Sequence, residues 1–472
     1  MRASRPLVYL FSTMLTVTAG ARSRAWSEEA NLVPDLGARH TGDDWPAFLG
    51  PTGDSRSTER GIRTDWPPEG PHLVWQKRLG KGYGMPAISR GRLFQFDRHG
   101  GQARLTCMKS ETGEPLWKFQ YPTGYEDLYG YDNGPRCSPL VDGDRVYIFG
   151  AEGMLHCLRV LDGSELWKVD TVAKFGVIQN FFGVGSNPVI EGELLIAVIG
   201  GSPQESKRIA PGQLDQVKPN GTGVVAFDKR TGEVKYQLGD ELAAYAGPVL
   251  ATIGGRRWCF VFARGGLLAF EPAGGRLDFH YPWRAATLES VNASNPVVVG
   301  DEVFISETYG PGSSLLKVRP GNYNVVWQDA KRSREKKMQT HWNTCVHHEG
   351  HLYGSSGRHS ENAELRCIEW ATGNVKWSVP ELGRASLLYA DGHFICLTEH
   401  GAVLLIKASP LKFELVAQTL LPVKDTGPPR LDDGPARLLS YPAWAAPILS
   451  HGLLYLRGRD RLVCLELVKG EG

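Results

Sequence analysis

The chain has 472 residues, with 53 Lys and Arg against 51 Asp and Glu for a formal charge of +2. That near-balance excludes the broad basic footprint of a nucleic-acid-binding protein. Gly makes up 56 of the residues, about 12% against an average near 7%, and 30 Pro accompany it, so the composition points to an all-β chain with frequent turns.

The first 21 residues place Arg2 and Arg5 ahead of an apolar run at 7–19 and the small residues Ala19-Gly20-Ala21. This order reads as a secretory signal peptide, because an apolar stretch of about 13 residues is too short to span a bilayer. No later run approaches the roughly 18–20 apolar residues that a span needs. Loss of Arg2 and Arg5 with the leader takes the formal charge to zero. The expectation is an exported protein, periplasmic or secreted, with an N-terminal extension at 22–69.

From residue 85 onward the chain repeats itself. Residues 137–167, CSPLVDGDRVYIFGAEGMLHCLRVLDGSELW, show the unit most fully. It has a small residue and Pro, a strand, a Gly turn, a second strand, another Gly turn, a third strand, and a last Gly turn leading to Trp. The same grammar runs through 85–117, 186–236, 246–279, 294–327 and 344–377, with a degenerate copy from Ala385 and a last one at 445–467. The third copy carries a 20-residue insertion at 202–221. First-turn Gly91 and its last counterpart Gly452 are 361 residues apart over seven intervals, about 52 per repeat. Four short strands at such a period indicate a β-propeller. The last copy stops after its third strand, whereas GPHLVW at 70–75 is a spare Gly-to-aromatic strand. The expected fold is therefore an eight-bladed propeller of four-stranded antiparallel blades over 70–468, closed by the N-terminal strand.

The spacing Gly113–Trp117, Gly163–Trp167, Gly232–Tyr236, Gly275–Phe279 and Gly373–Trp377 recurs once per unit. A catalytic group is needed once, so these rings are expected to be packing residues between blades. Cys107, Cys157, Cys367 and Cys464 share one repeat position, the end of the third strand. Packed sheets stand about 10 Å apart, beyond disulfide reach, so these four are expected as small buried fillers. Cys137, Cys259, Cys345 and Cys396 lie at other positions, where a pair stays open. The basic run Lys331, Arg332, Arg334, Lys336 and Lys337 is interrupted by Glu335 and reads as a solvated loop. HWNTCVHHEGH at 341–351 holds four His and one Cys. Consecutive His347 and His348 point to opposite strand faces, so no metal site is expected there.

The units ending in ETGEPLW (111–117) and ATGNVKW (371–377) resemble the pyrroloquinoline-quinone (PQQ)-like propeller repeat, and the resemblance covers about 70–468. DWPAFLGPTGDSRS at 44–57 is similar to the leader of exported bacterial members of that group. The resemblance implies one of two functional classes. One is the quinoprotein dehydrogenases, with quinone and Ca²⁺ at the axis and a carboxylate base. The other is binding or scaffold propellers, such as the propeller lipoprotein of the outer-membrane β-barrel assembly machinery. The first class typically carries a vicinal disulfide, and this chain has no Cys-Cys dipeptide, no matched Ca²⁺-binding set and no CxxCH.

Fold alone does not choose a function; a ligand is expected over the central channel, where the loops before each innermost strand break the repeat. There Arg136, Asn292, Trp342, Asn343, Arg384 and Trp444 depart from the consensus, while Asn187 and Asn295 precede matching prolines as turn formers. The two arginines suit bidentate pairing with carboxylate or phosphate, and the two tryptophans suit stacking. The favoured reading is a monomeric, exported, non-catalytic binding or scaffold module without cofactor. Its axial face would take a protein, glycan or small-molecule ligand. The alternative is a PQQ- and Ca²⁺-dependent oxidoreductase of alcohols or sugars, with the quinone near Arg136, Asn295 and Trp444. Deleting residues 70–78 is expected to abolish the cooperative thermal transition of the entire ring, and a truncated chain that melts like the full one contradicts closure.

Overall fold

The first strand of the propeller, β1 (His72–Arg78), does not join the sheet that follows it in sequence. It pairs antiparallel with β32 (Arg461–Glu466), behind β31 (Leu453–Arg457) and β30 (Ile448–Ser450), and so completes blade 8. The computed structural model describes residues 33–178, 181–288, 290–423 and 437–470; the leader expected at 1–21 lies outside them. Among the described residues, 32 strands form eight sheets of four. Blade 1 shows the plan, with β2 (Ala87–Ser89) innermost, then β3 (Arg92–His99), β4 (Gln102–Lys109) and β5 (Pro115–Pro122) outermost. The expected eight-bladed, mixed-terminus ring is the fold observed.

The recurring rings are the joints of this ring of blades. Trp75 Nε1 donates to Ser110 O of blade 1 at 2.9 Å, and Trp117 Nε1 donates to Val160 O of blade 2 at 2.9 Å. The pattern continues with Trp167 to Lys229 O, Tyr236 to Pro272 O, Trp327 to Trp370 O and Trp377 to Ser409 O. Each acceptor lies in the last turn of the next blade. In every blade a β-bulge interrupts the outermost pairing beside this position, as between Cys107 and Met108 opposite Trp117 and Pro115. A bulge re-aims its strand's side chains, and here it turns the ring toward the neighbouring blade.

The repeat glycine has a role across this joint that sequence spacing hid. Gly163 sits at φ +74°, and a Cβ there would come within 2.5 Å of the Trp117 ring. The glycine of each TG-x-x-x-W stretch is thus the seat for the previous blade's aromatic residue, in addition to making its own turn. Repeat cysteines complete the packing: Cys157 lies in register between Tyr147 and Trp167, whose centroids are 5.9 Å apart. All eight cysteines are buried and unpaired, and burial pushes the thiols of Cys107 and Cys157 up to about 12. Two joints differ. Phe279, without a donor, packs on Tyr323 of the next blade at 4.9 Å; at the joint from blade 7 to blade 8, Ala417 replaces the ring and Trp66 of the extension packs against the same core.

One expectation needs correction. Lys331, Arg332 and Arg334 are exposed, but Lys336 is buried. Its Nζ donates to Ala330 O at 2.5 Å, because the turn folds back and presents carbonyls to the ammonium group. Lys337 reaches Thr372 O and lies 4.5 Å over Trp327, bracing that joint. In the His-rich stretch, His347 lies edge-on to Trp370 while His348 stacks on Tyr389, so the two do separate. Trp167→Ala is expected to cost about 3–5 kcal/mol in urea unfolding. Gly163→Ala should also destabilise, through Trp117 of the neighbouring blade, and a wild-type midpoint for Gly163→Ala contradicts the seating role.

Candidate functional site

The N-terminal extension turns the central channel into a blind pocket. Trp45 exchanges backbone hydrogen bonds with Ile88 of blade 1 at 2.8 and 2.9 Å, and Val141 N of blade 2 donates to Pro46 O. Across the axis, Ser57 N donates to Tyr389 O of blade 7, and Tyr389 N donates to Ser55 O. Between these anchors residues 47–55 wind through a tight turn, with Ser55 N donating to Leu49 O at 2.9 Å. Gly50 is required there, since its φ is +91° and a Cβ would lie 2.8 Å from the Trp45 ring. Outside the channel the extension is pinned by Arg39 to Glu466 at 2.5 Å, by Glu59 Oε2 accepting from Gly452 N, and by Asp44 meeting His451 Nε2 at 3.1 Å. The hydrogen bond to Asp44 raises His451 above the usual imidazole range.

Phe48, Leu49 and Ser55 form the floor of a cavity of about 470 Å³. Its walls come from the loops leading into the innermost strands, so all eight blades contribute. Arg136, Asn187, Trp342, Asn343, Arg384 and Trp444 of the sequence-predicted residues line it; Asn292 and Asn295 do not. Asn292 is buried behind the wall, donating to Ala263 O at 2.7 Å. Asn187 and Asn295 tie neighbouring blades together: Ser138 N donates to Asn187 Oδ1 at 2.6 Å, and Gly247 N to Asn295 Oδ1 at 2.8 Å.

Both candidate arginines already have internal carboxylate partners. Arg136 pairs with buried Asp127 and also donates to Asp132 O and Gly134 O. Arg384 holds buried Glu399 with Nε at 3.0 Å and Nη2 at 2.6 Å, while its Nη1 reaches Arg358 O and His341 Nδ1. Burial raises the Glu399 carboxyl, but the hydrogen bonds from Arg384 outweigh it and hold the group below its ordinary range. Trp444 Nε1 donates to the same carboxylate at 3.2 Å, and Trp342 Nε1 donates to Trp444 O at 3.1 Å. The two indoles lie 4.9 Å apart, tilted against each other, and both line the cavity.

The lining also holds residues that sequence reading passed over. Tyr131 and Tyr441 stand in the same segments as Arg136 and Trp444. Tyr309 and Arg358 follow second strands, whose far ends reach the same mouth because first and second strands run antiparallel. Tyr309 Oη and His341 Nε2 are 3.0 Å apart. Burial, with the charges of Arg384 and Arg358, pushes His341 down to about 3. Behind Tyr309, the insertion at 202–221 packs Leu214 and Val217 into an apolar cluster with Phe181 and Val291, and Asp215 pairs with Arg264 at 3.0 Å and with Arg284.

An eight-bladed ring of these units with an axial pocket defines a PQQ-like β-propeller of the quinoprotein superfamily. The chain matches the family described as outer membrane protein assembly factor BamB over residues 67–202 and 130–379. It belongs to that family. A search of curated proteins finds no match. Among solved structures it is similar to BamB from Moraxella catarrhalis, at 13% identity and a TM-score of 0.55 over 85% of this chain and 98% of that one. It is also similar to quinohemoprotein alcohol dehydrogenase from Comamonas testosteroni, at 12% identity and a TM-score of 0.60 over 96% and 85%. The computationally designed Ika8 protein matches at 8% identity and a TM-score of 0.50 over 84% and 100%. These likenesses are of fold.

Next to the wall, Glu307 is fully buried; its Oε2 accepts from Tyr309 N at 2.6 Å, and its Oε1 has no partner. Burial raises this carboxyl to about 7. A folded value above the unfolded one means the folded state binds the extra proton, so this term weakens stability as pH rises from about 4.5 to 7. The loss is on the order of 3 kcal/mol. Glu307→Gln is expected to raise Tm at pH 8 while leaving it near wild type at pH 4.5; equal effects at both values contradict the assignment.

Proposed function

We propose that this protein is an exported, non-catalytic binding module that holds a protein partner at its axial face. The observation that carries the reading is the pocket itself, floored by the extension and edged on the side of blades 8 and 2 by exposed tyrosines. Tyr131 and Tyr441 line it and are 60% and 44% exposed, and Tyr129 and Leu128, each 49% exposed, lie in the same loop as Tyr131. Exposed aromatic clusters around a concavity mark binding surfaces. Membership of a family described by outer membrane protein assembly supports a protein as the partner. The sequence-predicted leader supports an exported, periplasmic or secreted site of action, and among the described residues no helix is long and apolar enough to cross a membrane. The reading takes the molecule as a monomer.

The residues present do not fit a Ca²⁺ ion. Calcium takes six to eight oxygen ligands, several of them carboxylates, whereas Glu361 is the one carboxylate among the described residues lining the cavity. Glu399, behind the wall, is committed to Arg384 and Trp444. The described residues contain no cluster of three or more His, Cys, Asp or Glu suited to a metal.

A photo-crosslinking amino acid at Tyr131, in protein expressed with its own leader, is expected to give one discrete protein adduct. The same group at Val375, exposed on the outermost strand of blade 6, should give none. Adducts of equal yield at both sites, or none at Tyr131, contradict the axial face as the partner-binding face.

A further inference from the structure

We infer that His451 is a proton-operated latch on the N-terminal extension: its imidazolium ties the segment that floors the pocket to blade 8, and loss of one proton loosens that tie. The latch lies on the side of the ring opposite the mouth and stands apart from the partner-binding reading. Three consecutive residues of one turn, between β30 and β31, take hold of the extension. Ser450 Oγ donates to Asp43 O at 2.7 Å, and Gly452 N donates to Glu59 Oε2 at 2.7 Å. Between them, the His451 ring reaches both Thr41 O and Asp44. Among the first turns of the eight blades, this is the one that carries a histidine. The repeat is therefore broken where the extension is held.

The contacts of the ring fix its protonation. Nε2 faces Asp44 Oδ1 at 3.1 Å, and Nδ1 faces Thr41 O at 3.3 Å. A carboxylate and a carbonyl oxygen both accept, so both ring nitrogens donate, and only the imidazolium has two N–H groups. A neutral ring would turn a lone pair toward one of these oxygens. The charged groups around it point the same way. Buried Glu59 is a second carboxyl group on the turn, and Asp43 meets Thr58 close by. Arg39, beside Gly452, is paired with Glu466. Arg90 gives its backbone N–H to Asp44 and turns its guanidinium to Val33 O. The hydrogen bond to Asp44 outweighs burial and, with the charges of Asp44 and Glu59, raises the imidazole above its ordinary range. A raised folded value means the tie is fully present below about 6.5 and is lost as pH rises through that folded value. Asp44 keeps its bonds from Ser89 Oγ and Arg90 N of blade 1, so deprotonation frees the extension from blade 8 first.

Hydrogen exchange read by mass spectrometry on the full folded chain tests the latch, since amide protection measures local opening. Rates are corrected for the intrinsic effect of pH. Protection of residues 41–59 is expected to fall at least threefold between pH 6 and pH 8, while Leu194–Val198, the second strand of blade 3, keeps its own. His451→Asn removes the charge with a residue suited to the backbone there, where φ is +51°. It should show at pH 6 the low protection that the wild type reaches at pH 8, with no further fall. Asp44→Asn should move the midpoint of any remaining fall to lower pH. Constant protection of 41–59 in the wild type overturns the latch. A wild-type midpoint below the ordinary imidazole value, or a full pH response in His451→Asn, assigns the change to another group and overturns it equally.

Discussion

An aromatic ring on the outermost strand of one blade, hydrogen-bonded to a backbone carbonyl of the next, is the interaction on which this molecule depends. A four-stranded blade cannot bury both of its faces alone, so it is stable only between neighbours. Trp167 shows how one residue serves that need: its indole fills the gap, its N–H satisfies Lys229 O, and Tyr147 donates to the same carbonyl at 3.0 Å. The joint constrains three other positions: the glycine that must lack a side chain, the small Cys157 beside the ring, and the bulge that aims it. A mutation at any one of them is felt in two blades.

Such a ring leaves a hole along its axis, and the binding site is built by blocking it. The segment at 44–57 acts as an extra piece of inner sheet, paired by backbone hydrogen bonds to blades 1, 2 and 7. It supplies a floor that no repeat unit encodes. The walls are rigid for a related reason: Arg384, Glu399, Trp342 and Trp444 satisfy one another, so their rings are held in place before any guest arrives. Preorganisation of this kind limits what is lost on binding.

The ring was legible in the sequence because its constraints recur. Eight copies of one pattern expose the Trp position, the Cys position and the missing strand at once, and repetition separates packing residues from site residues. The pocket was legible only in part. The loops before the innermost strands hold Arg136, Trp342 and Trp444, but they also hold Asn292, which lies behind the cavity wall, and Asn295, which joins blades. Tyr309 and Arg358 lie in loops that follow second strands and carry no repeat signal, so nothing in the sequence marks them. The segment at 44–57 was visible only as similar to the leader of exported members of the group, and its pairing with Tyr389 over more than 300 residues leaves no periodicity to read. Lys336 was misplaced for a similar reason, since a basic run does not reveal which ammonium group will fold back onto carbonyls.

The N-terminal extension also imposes an order on assembly. Residues 39–63 emerge early from synthesis, but their partners on blades 7 and 8 follow much later: Arg39 and Glu466 are 427 residues apart, and Glu59 and Gly452 are 393 apart. Contacts between such distant parts of a chain form late, because a large loop must close before they repay its entropy. The floor of the cavity is therefore set only when blade 7 is in place, and a chain cut short at its C-terminus loses both the share of the wall that Tyr441 and Trp444 supply and the contacts that pin the extension to blade 8. Occupancy of this pocket would report that the whole ring has been completed.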